Sequence, residues 1–437
     1  MLPYVTIIGG GLAGCETAYQ IAKAGIPVKL YEMKPKKYSP AHSNENLAEI
    51  VCSNSFKSNL HTNACGLLKE ELLLLNSLLI RIANEVKVPA GQALAVDREI
   101  FSKRVTEEIK NMENIEIINE EVTKIPEEGI TVIATGPLTS DKLSEEISKL
   151  TGSNKLAFYD AAAPIIEKNS IDMNIAFMAN RYDNEKEEKE EASYLNLPMN
   201  KEEYEAFWNE LVNAQVVELH EFEKREIFEG FMPIEVMAKR GIDTLRFGPL
   251  KPVGFIDPRT GKRPYAIVQL RQDNKQGTIY NMVGFQTNLK YGEQKRVFQM
   301  IPGLENAEFV KYGVMHRNTF IHSPSLLDET YCMNKNSNIY FAGQITGVEG
   351  YVESISSGMV VALNIIKKYK NEEPLIFPEE TMIGALAKYI STPNDKFQPM
   401  NANFGILPQL PERIKDKKIK YAKLADIAIE KMKQIIQ

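Results

Sequence analysis

The sequence is poor in the residues that would mark a secreted, membrane-bound or metal-built protein. No run of about 18 apolar residues occurs, so no membrane-spanning helix is expected. Four cysteines in 437 residues, Cys15, Cys52, Cys65 and Cys332, are too few for a disulfide framework, and no two have C-x-x-C spacing. The five histidines are scattered without zinc-like spacing, so no metal site is expected. No internal repeat stands out. The opening "MLPYVTIIGGG" has neither a basic leader nor a small-residue cleavage site and reads as a strand, not a signal peptide. A reduced, cytoplasmic setting is therefore expected. The net charge of −6 argues against a chain built throughout to coat nucleic acid. That charge is uneven, however. Lys224 to Gln299 holds 14 Lys+Arg and 7 Asp+Glu, a net +7, which leaves −13 for the rest. Such asymmetry fits an anionic partner at one face, or simply an uneven solvated surface.

What is present is a βαβ rhythm at the start. "YVTIIGGGLAGCETAYQIAKAGIPVKLYEM" reads as a strand over 4–8, a glycine turn, a helix over 12–24 ended by Gly25, and a strand over 28–31 followed by Glu32. A long polar stretch from Lys34 to Gly66 contains "EIVCSNSFKSN", and "LLKEELLLLNSLLIRIANEV" reads as one buried helix over 67–86. The rhythm stops near Asp141. An acidic run, "NEKEEKEEASY", reads as a solvated connection, and "KEEYEAFWNELVNAQV" as an amphipathic helix carrying the single Trp208. "GPLKPVGFIDPRTGKRPYAIVQLRQDN" reads as short antiparallel strands with turns at Asp257-Pro258 and Thr260-Gly261. The expected fold is α/β: a Rossmann-like domain with a doubly wound sheet, interrupted by a mixed α/β insertion domain. The expected boundaries are 1–145 and 333–437 for the first domain and 146–332 for the insertion.

Gly9, Gly11 and Gly14 form G-x-G-x-x-G between strand and helix. The first allows a tight turn, the second lets a pyrophosphate approach, and the third lets helix and strand pack closely. The helix N-terminus, with Gly10, Leu12 and Ala13 in the turn, offers amides to phosphate, and Glu32 is placed to accept from a ribose. A second strand ends at Ala134-Thr135-Gly136, the pattern of two-dinucleotide-type FAD proteins. "IYFAGQITGVEGYVESISSGMVVA" repeats strand, glycine turn and helix late in the chain. Gly343, Gln344 and Val348 to Tyr351 are expected near the flavin, whose packing would explain the bare backbone at 343.

The motifs "IIGGGLAGCE", "VCSNSFKS", "MPIEVMAKRGIDTLRFGPLKPVG", "VGFQTNLKYGEQKRVF", "HRNTF", "AGQITGVEGYVESISSG" and "QPMNANFGILP" resemble the folate- and FAD-dependent tRNA (uracil-5-)-methyltransferases over Val5 to about Pro411. That family is itself similar to GidA/MnmG, wobble-uridine modifiers that are longer at the C-terminus; a chain ending at Gln437 favours the methyltransferases. The resemblance implies that 5,10-methylenetetrahydrofolate supplies a one-carbon unit, that FAD relays it, and that NADH or NADPH supplies the electrons. It also implies that the product is 5-methyluridine in a structured RNA, in the tRNA T-loop by family habit.

Uracil C5 is a poor nucleophile until C6 is attacked, a task that suits a thiolate. Cys52, in a polar loop, is the candidate, with Lys57 favouring its thiolate form. The family pattern has a second cysteine before "MPIEVMA", and this chain has Phe231 there. That departure keeps two other readings open, the same chemistry on 23S ribosomal RNA and a catalytically degenerate flavin-bound RNA-binding protein; a GidA/MnmG-like activity with the same cofactors is a further alternative. RNA would meet the basic insertion through Lys239, Arg240, Arg246, Lys251, Arg259, Lys262, Arg263 and Arg271. Tyr265 and Phe247 are candidates to stack on an extruded base, and His316 and Tyr351 on flavin or folate.

Overall fold

The computed structural model describes residues 4–152, 156–161, 163–181, 192–217, 232–313, 315–395 and 397–436, with the backbone alone for 156–161 and 315–318. Phe231 and most of the acidic run lie outside the described residues.

Four apolar or β-branched residues in a row form β1 (Val5–Ile8), buried along its whole length as a central parallel strand must be. The chain turns at Gly9 into α1 (Leu12–Lys23), and Gly25, with φ +83°, releases it into β2 (Val28–Tyr31). β3 (Ser55–Ser58) follows the polar loop. The expected single helix over 67–86 is instead two, α2 (Ala64–Leu74) and α3 (Leu78–Glu85). Asn76 takes the left-handed conformation at φ +59°, and the Ser77 hydroxyl caps α3 by accepting from Ile80 N at 3.3 Å. The buried Glu16 of α1 completes that cap, accepting from Leu78 N and Leu79 N at 3.1 Å each. Next come β4 (Lys87–Val88), β5 (Ala93–Val96), α4 (Arg98–Lys110), β6 (Ile115–Ile118), β7 (Ile130–Ile133) and α5 (Asp141–Thr151).

The chain then builds a second unit. β8 (Leu156–Ala161) leads to β9 (Ile165–Glu167), β10 (Phe177–Met178) and β11 (Tyr194–Met199), then to α6 (Lys201–Asn213), whose N-terminus carries an Asn200–Glu203 capping box. The short helices α7 (Ile234–Ala238) and α8 (Thr244–Phe247) precede β12 (Ala266–Gln272), β13 (Ile279–Met282), α9 (Tyr291–Phe298) and β14 (Phe309–Lys311). Asp257 bridges Lys262 across the expected turn. The return runs through β15 (Met315–Phe320), β16 (Cys332–Met333) and β17 (Asn336–Phe341) to α10 (Tyr351–Tyr369), α11 (Met382–Ser391) and α12 (Lys417–Ile436).

The first sheet has the order β16-β17-β7-β1-β2-β6, parallel except for the edge strand β16. β17, from late in the chain, thus lies next but one to β1, and α10 packs on α1: the Thr17 hydroxyl donates to Gly358 O at 3.0 Å. The second sheet, β10-β11-β12-β13-β9-β14, is antiparallel and has its own core from Ala163 to Ala307. Leu143 and Ile147 of α5, and Phe320 to Leu327, pack in the first core. The antiparallel pair β8–β15 carries the chain between the two units. An α/β dinucleotide-binding fold with a mixed α/β insertion is therefore what the chain adopts.

Glu71 joins two distant parts of the first core. Fully buried, it accepts from Met382 N at 2.7 Å and Ile383 N at 2.8 Å, capping α11, and burial pushes its carboxyl up to about 8. Because the folded value lies above the unfolded one, stability should fall as pH rises between about 5 and 8. Glu71→Gln should flatten that fall in thermal melts across this range. Parallel melting curves for the two proteins would contradict this reading of Glu71.

Candidate active site

The fingerprint glycines serve different ends. A Cβ on Gly14 would meet Gly9 O at 1.9 Å, so this residue lets α1 lie against the sheet. A Cβ on Gly11 would meet nothing within 4 Å. Gly11 opens instead onto a cleft lined by Gly9 to Ala13, Glu32, Gly136, Gly343, Gln344 and Tyr351. Gly11 is also the N-cap of α1 and supplies no side chain, which leaves the helix's first amides available to an anion. The cradle fits a pyrophosphate. Glu32 is buried at the cleft wall, and each of its oxygens already accepts a backbone amide, from Gly10 N and Lys34 N at 3.0 Å. It thus shapes the turn.

The late glycines need a correction. A Cβ on Gly343 would sit 3.1 Å from Ala13 Cβ, one on Gly347 would strike Phe397 at 2.4 Å, and one on Gly350 would strike Glu353 at 2.1 Å. The bare backbone there is required by protein neighbours and by positive φ values of 83°, 86° and 126°, not by a flavin alone. Of Val348 to Tyr351, only Tyr351 lines the cleft, and Val348 is buried beneath it.

Tyr351 ties this late motif to the thiol loop. Its hydroxyl accepts from Cys52 N and Ser53 N, both at 3.1 Å, and burial raises the phenol above its ordinary value. Arg98, at the start of α4, grips the same loop from the other side. Its guanidinium donates to Ile50 O at 3.4 Å, Val51 O at 3.3 Å and Cys52 O at 3.5 Å, and pairs with Asp273 of the insertion at 3.0 Å. Arg271 donates to Ser53 Oγ at 2.6 Å and Asn54 Oδ1 at 3.0 Å. The Cys52 loop is thus clamped between the first domain and the insertion. Arg271 is buried in this clamp, so it is not the phosphate contact expected of it.

Cys52 is the only partly exposed cysteine; the other three are buried. Burial pushes the Cys65 thiol up to about 12 and Cys332 to about 11, and raises Cys15 further, so none of these is disposed to ionise. The cation expected beside Cys52 is misassigned. Lys57 pairs with the buried Glu353 at 3.4 Å, beside Cys65. The positive groups that share the Cys52 surroundings are Arg98 and Lys311. Burial and the Arg98 charge lower the Lys311 ammonium, while Glu49, Cys52 and Asp273 pull the other way. The Arg98–Asp273 pair and Lys311 escaped sequence reasoning because their partners lie far along the chain. Asp97 before Arg98 signals only a helix cap.

On the insertion, Lys239, Arg240, Lys251, Lys262 and Arg263 are exposed. Arg259 is exposed but bound to Asp257 at 2.9 and 3.2 Å. Tyr265 is not free to stack on a base, because Arg246 lies 3.6 Å over its ring and Tyr204 packs at 5.5 Å. Phe247 is 81% exposed. His316 lies on β15, and its ring is outside the described side chains. Among the described residues no group of three or more His, Cys, Asp or Glu is arranged to hold a metal, and no helix is long and apolar enough to cross a membrane.

The fold and cleft define a dinucleotide-binding protein with an inserted second domain. Residues 4–373 match the family described as glucose inhibited division protein A. The chain is 61% identical over 437 residues to the methylenetetrahydrofolate--tRNA-(uracil-5-)-methyltransferase TrmFO of Acetivibrio thermocellus, covering 100% of this chain and 99% of that protein. It is 59% identical to the protein of the same name from Enterococcus faecalis, over 100% of this chain and 99% of that one. The GidA structure of Aquifex aeolicus superposes with a TM-score of 0.70 at 17% identity, covering 99% of this chain and 76% of that one, which shows a common fold. The chain belongs to the glucose inhibited division protein A family and, within it, to the methylenetetrahydrofolate--tRNA-(uracil-5-)-methyltransferases.

Tyr351→Phe removes the acceptor for two amides of the thiol loop. Alkylation of Cys52 by iodoacetamide, followed by peptide mass mapping, should speed up several-fold while the three buried cysteines stay unmodified. An unchanged rate would show that the hydroxyl does not hold the loop.

Proposed function

We propose that the protein is an FAD- and folate-dependent methyltransferase that forms 5-methyluridine in tRNA, taking the one-carbon unit from 5,10-methylenetetrahydrofolate with NADH or NADPH as reductant. The observation that carries this reading is full-length identity of 57–61% to methyltransferases of that name. The open Gly11 cradle and the two-ended cleft support FAD as the cofactor. Gly9 to Ala13 would hold its pyrophosphate, Glu32 a ribose, and Gly136, Gly343, Gln344 and Tyr351 the remaining walls. When bound, the flavin supplies the redox chemistry that turns the folate one-carbon unit into a methyl group.

The chain's own part is to hold a thiol and a base in register. The Cys52 loop borders the cleft through Val51, and Tyr351, which lines the cleft, holds the Cys52 amide. The loop's carbonyls are drawn onto Arg98 and its amides onto Tyr351, which holds the backbone that carries Cys52. Addition of the thiolate to uracil C6 would raise electron density at C5, which would bond to the one-carbon unit as that carbon's bond to its carrier nitrogen breaks. Two electrons originating from the nicotinamide would bring the carbon to the methyl level, and loss of the C5 proton and of the thiolate would restore the ring. The Arg98–Asp273 pair and the Arg271–Asn54 bond fill the seam beside the loop, while Cys52 itself stays partly exposed to substrate. The relatives' names specify tRNA, which favours it over ribosomal RNA. Identities of 16–17% to GidA, against 57–61% to the methyltransferases, favour uracil methylation over wobble-uridine chemistry.

The test is nucleoside mass analysis of an unmodified tRNA transcript after incubation with the purified protein, methylenetetrahydrofolate and NADPH or NADH. Wild type should produce 5-methyluridine and carry flavin. Cys52→Ala should keep its flavin and lose roughly three or more orders of magnitude in rate. Undiminished turnover in that variant would remove the thiolate from the mechanism, and a colourless wild type would remove FAD.

A further inference from the structure

We propose that Phe247 is a stacking platform for an unpaired base of the RNA substrate, on a surface separate from the cleft; this rests on the tRNA reading above. Among the described residues Phe247 is the most exposed large apolar side chain, at 81% against 60% for Ile419, the next. A lone exposed ring is ordinary on a protein surface. What distinguishes this one is its mounting and its surroundings.

The mounting is rigid. Leu245 of α8 is fully buried in the insertion's core, and Leu250 N donates back to Leu245 O at 2.8 Å. Arg246 is fixed by its 3.6 Å contact with the Tyr265 ring, by Nε donating to Tyr265 O at 3.0 Å, and by Nη1 on Asp243 at 2.6 Å. The Tyr204 hydroxyl donates to Ile242 O at 2.5 Å, bracing the turn that leads into α8. Within the helix Leu245 goes to the core and Arg246 to Tyr265 and Asp243, which leaves Phe247 as its one exposed apolar side chain. A ring held in place loses little freedom when a partner stacks on it.

The surroundings are cationic. From 239 to 251 the chain carries Lys239, Arg240, Arg246 and Lys251 against a single acid, Asp243, which Arg246 already neutralises. The Arg246–Tyr265 bond sets the foot of the 257–263 segment, with exposed Lys262 and Arg263, beside α8. A protein partner favours an apolar centre depleted of charge. A single π-face among ammonium and guanidinium groups instead matches a nucleotide, whose base stacks while its phosphates are neutralised.

The experiment is fluorescence-anisotropy binding of an unmodified tRNA transcript to the full-length flavoprotein across a salt series. Phe247→Ala, at so exposed a site, should fold and keep its flavin. Its affinity should drop about tenfold or more at every salt concentration with the salt slope unchanged. Phe247→Trp should bind like wild type, and Lys251→Ala should lower the slope by about one unit or less. Wild-type affinity in Phe247→Ala would overturn the proposal, as would a loss seen only together with a change in self-association by sedimentation. Wild-type 5-methyluridine formation on the same transcript reads the underlying function separately. If wild type methylates and Phe247→Ala binds normally, only the platform falls. If wild type neither binds nor methylates, both fall.

Discussion

A guanidinium buried between two domains sets the geometry on which the site depends. Arg98 is 14% exposed and its partner Asp273 only 2%. Removing both charges from water is costly, and their attraction offsets that cost only with good geometry and further hydrogen bonds. The further bonds here are the carbonyls of Ile50, Val51 and Cys52. The loop carrying the thiol thereby supplies acceptors that the buried cation needs. Displacing the loop would strand a charge, so loop position and domain docking are coupled through one side chain.

The cleft is shaped by the same economy of distant parts. β17 and α10, encoded more than 300 residues after β1, complete the sheet and bring Tyr351 over the Cys52 amides. The insertion contributes Asp273, Arg271 and Lys311 from a separate core. Three segments far apart in the chain, two sharing the first core and one from the insertion's own core, meet at one loop. The arrangement suits a reaction in which a nucleotide cofactor, a folate and an RNA base must share one small volume, because each wall is supplied by a different part of the chain.

Local patterns made much of this legible in the sequence. The fingerprint from Val5 to Glu32 is a contiguous βαβ unit, and its glycine spacing reports the turn directly. The turn at Asp257 to Lys262 and the amphipathic α6 were readable for the same reason. The interactions that fix the thiol loop were not, since Tyr351 is 299 residues from Cys52 and Arg98 is 175 from Asp273. Residue type then suggested a wrong neighbour: Lys57 is close to Cys52 in sequence, yet it turns to Glu353. The apolar run over 67–86 hid a helix break because periodicity continues through Asn76 and Ser77, and only their cap chemistry marks it. Glycines around Gly343 suggested ligand contact; Gly343 does line the cleft, and Ala13, Phe397 and Glu353 add steric reasons that the sequence did not show.

The claim most open to test is that the domain seam places the thiol. Asp273→Asn removes the charge that holds Arg98 without touching the dinucleotide cradle. Turnover to 5-methyluridine, measured with saturating tRNA, folate and nicotinamide alongside flavin content, reads both halves at once. The account predicts a full complement of flavin with turnover reduced roughly ten- to a hundredfold, as expected when a reacting group is shifted by a fraction of its bonding distance. Wild-type turnover in Asp273→Asn would contradict it.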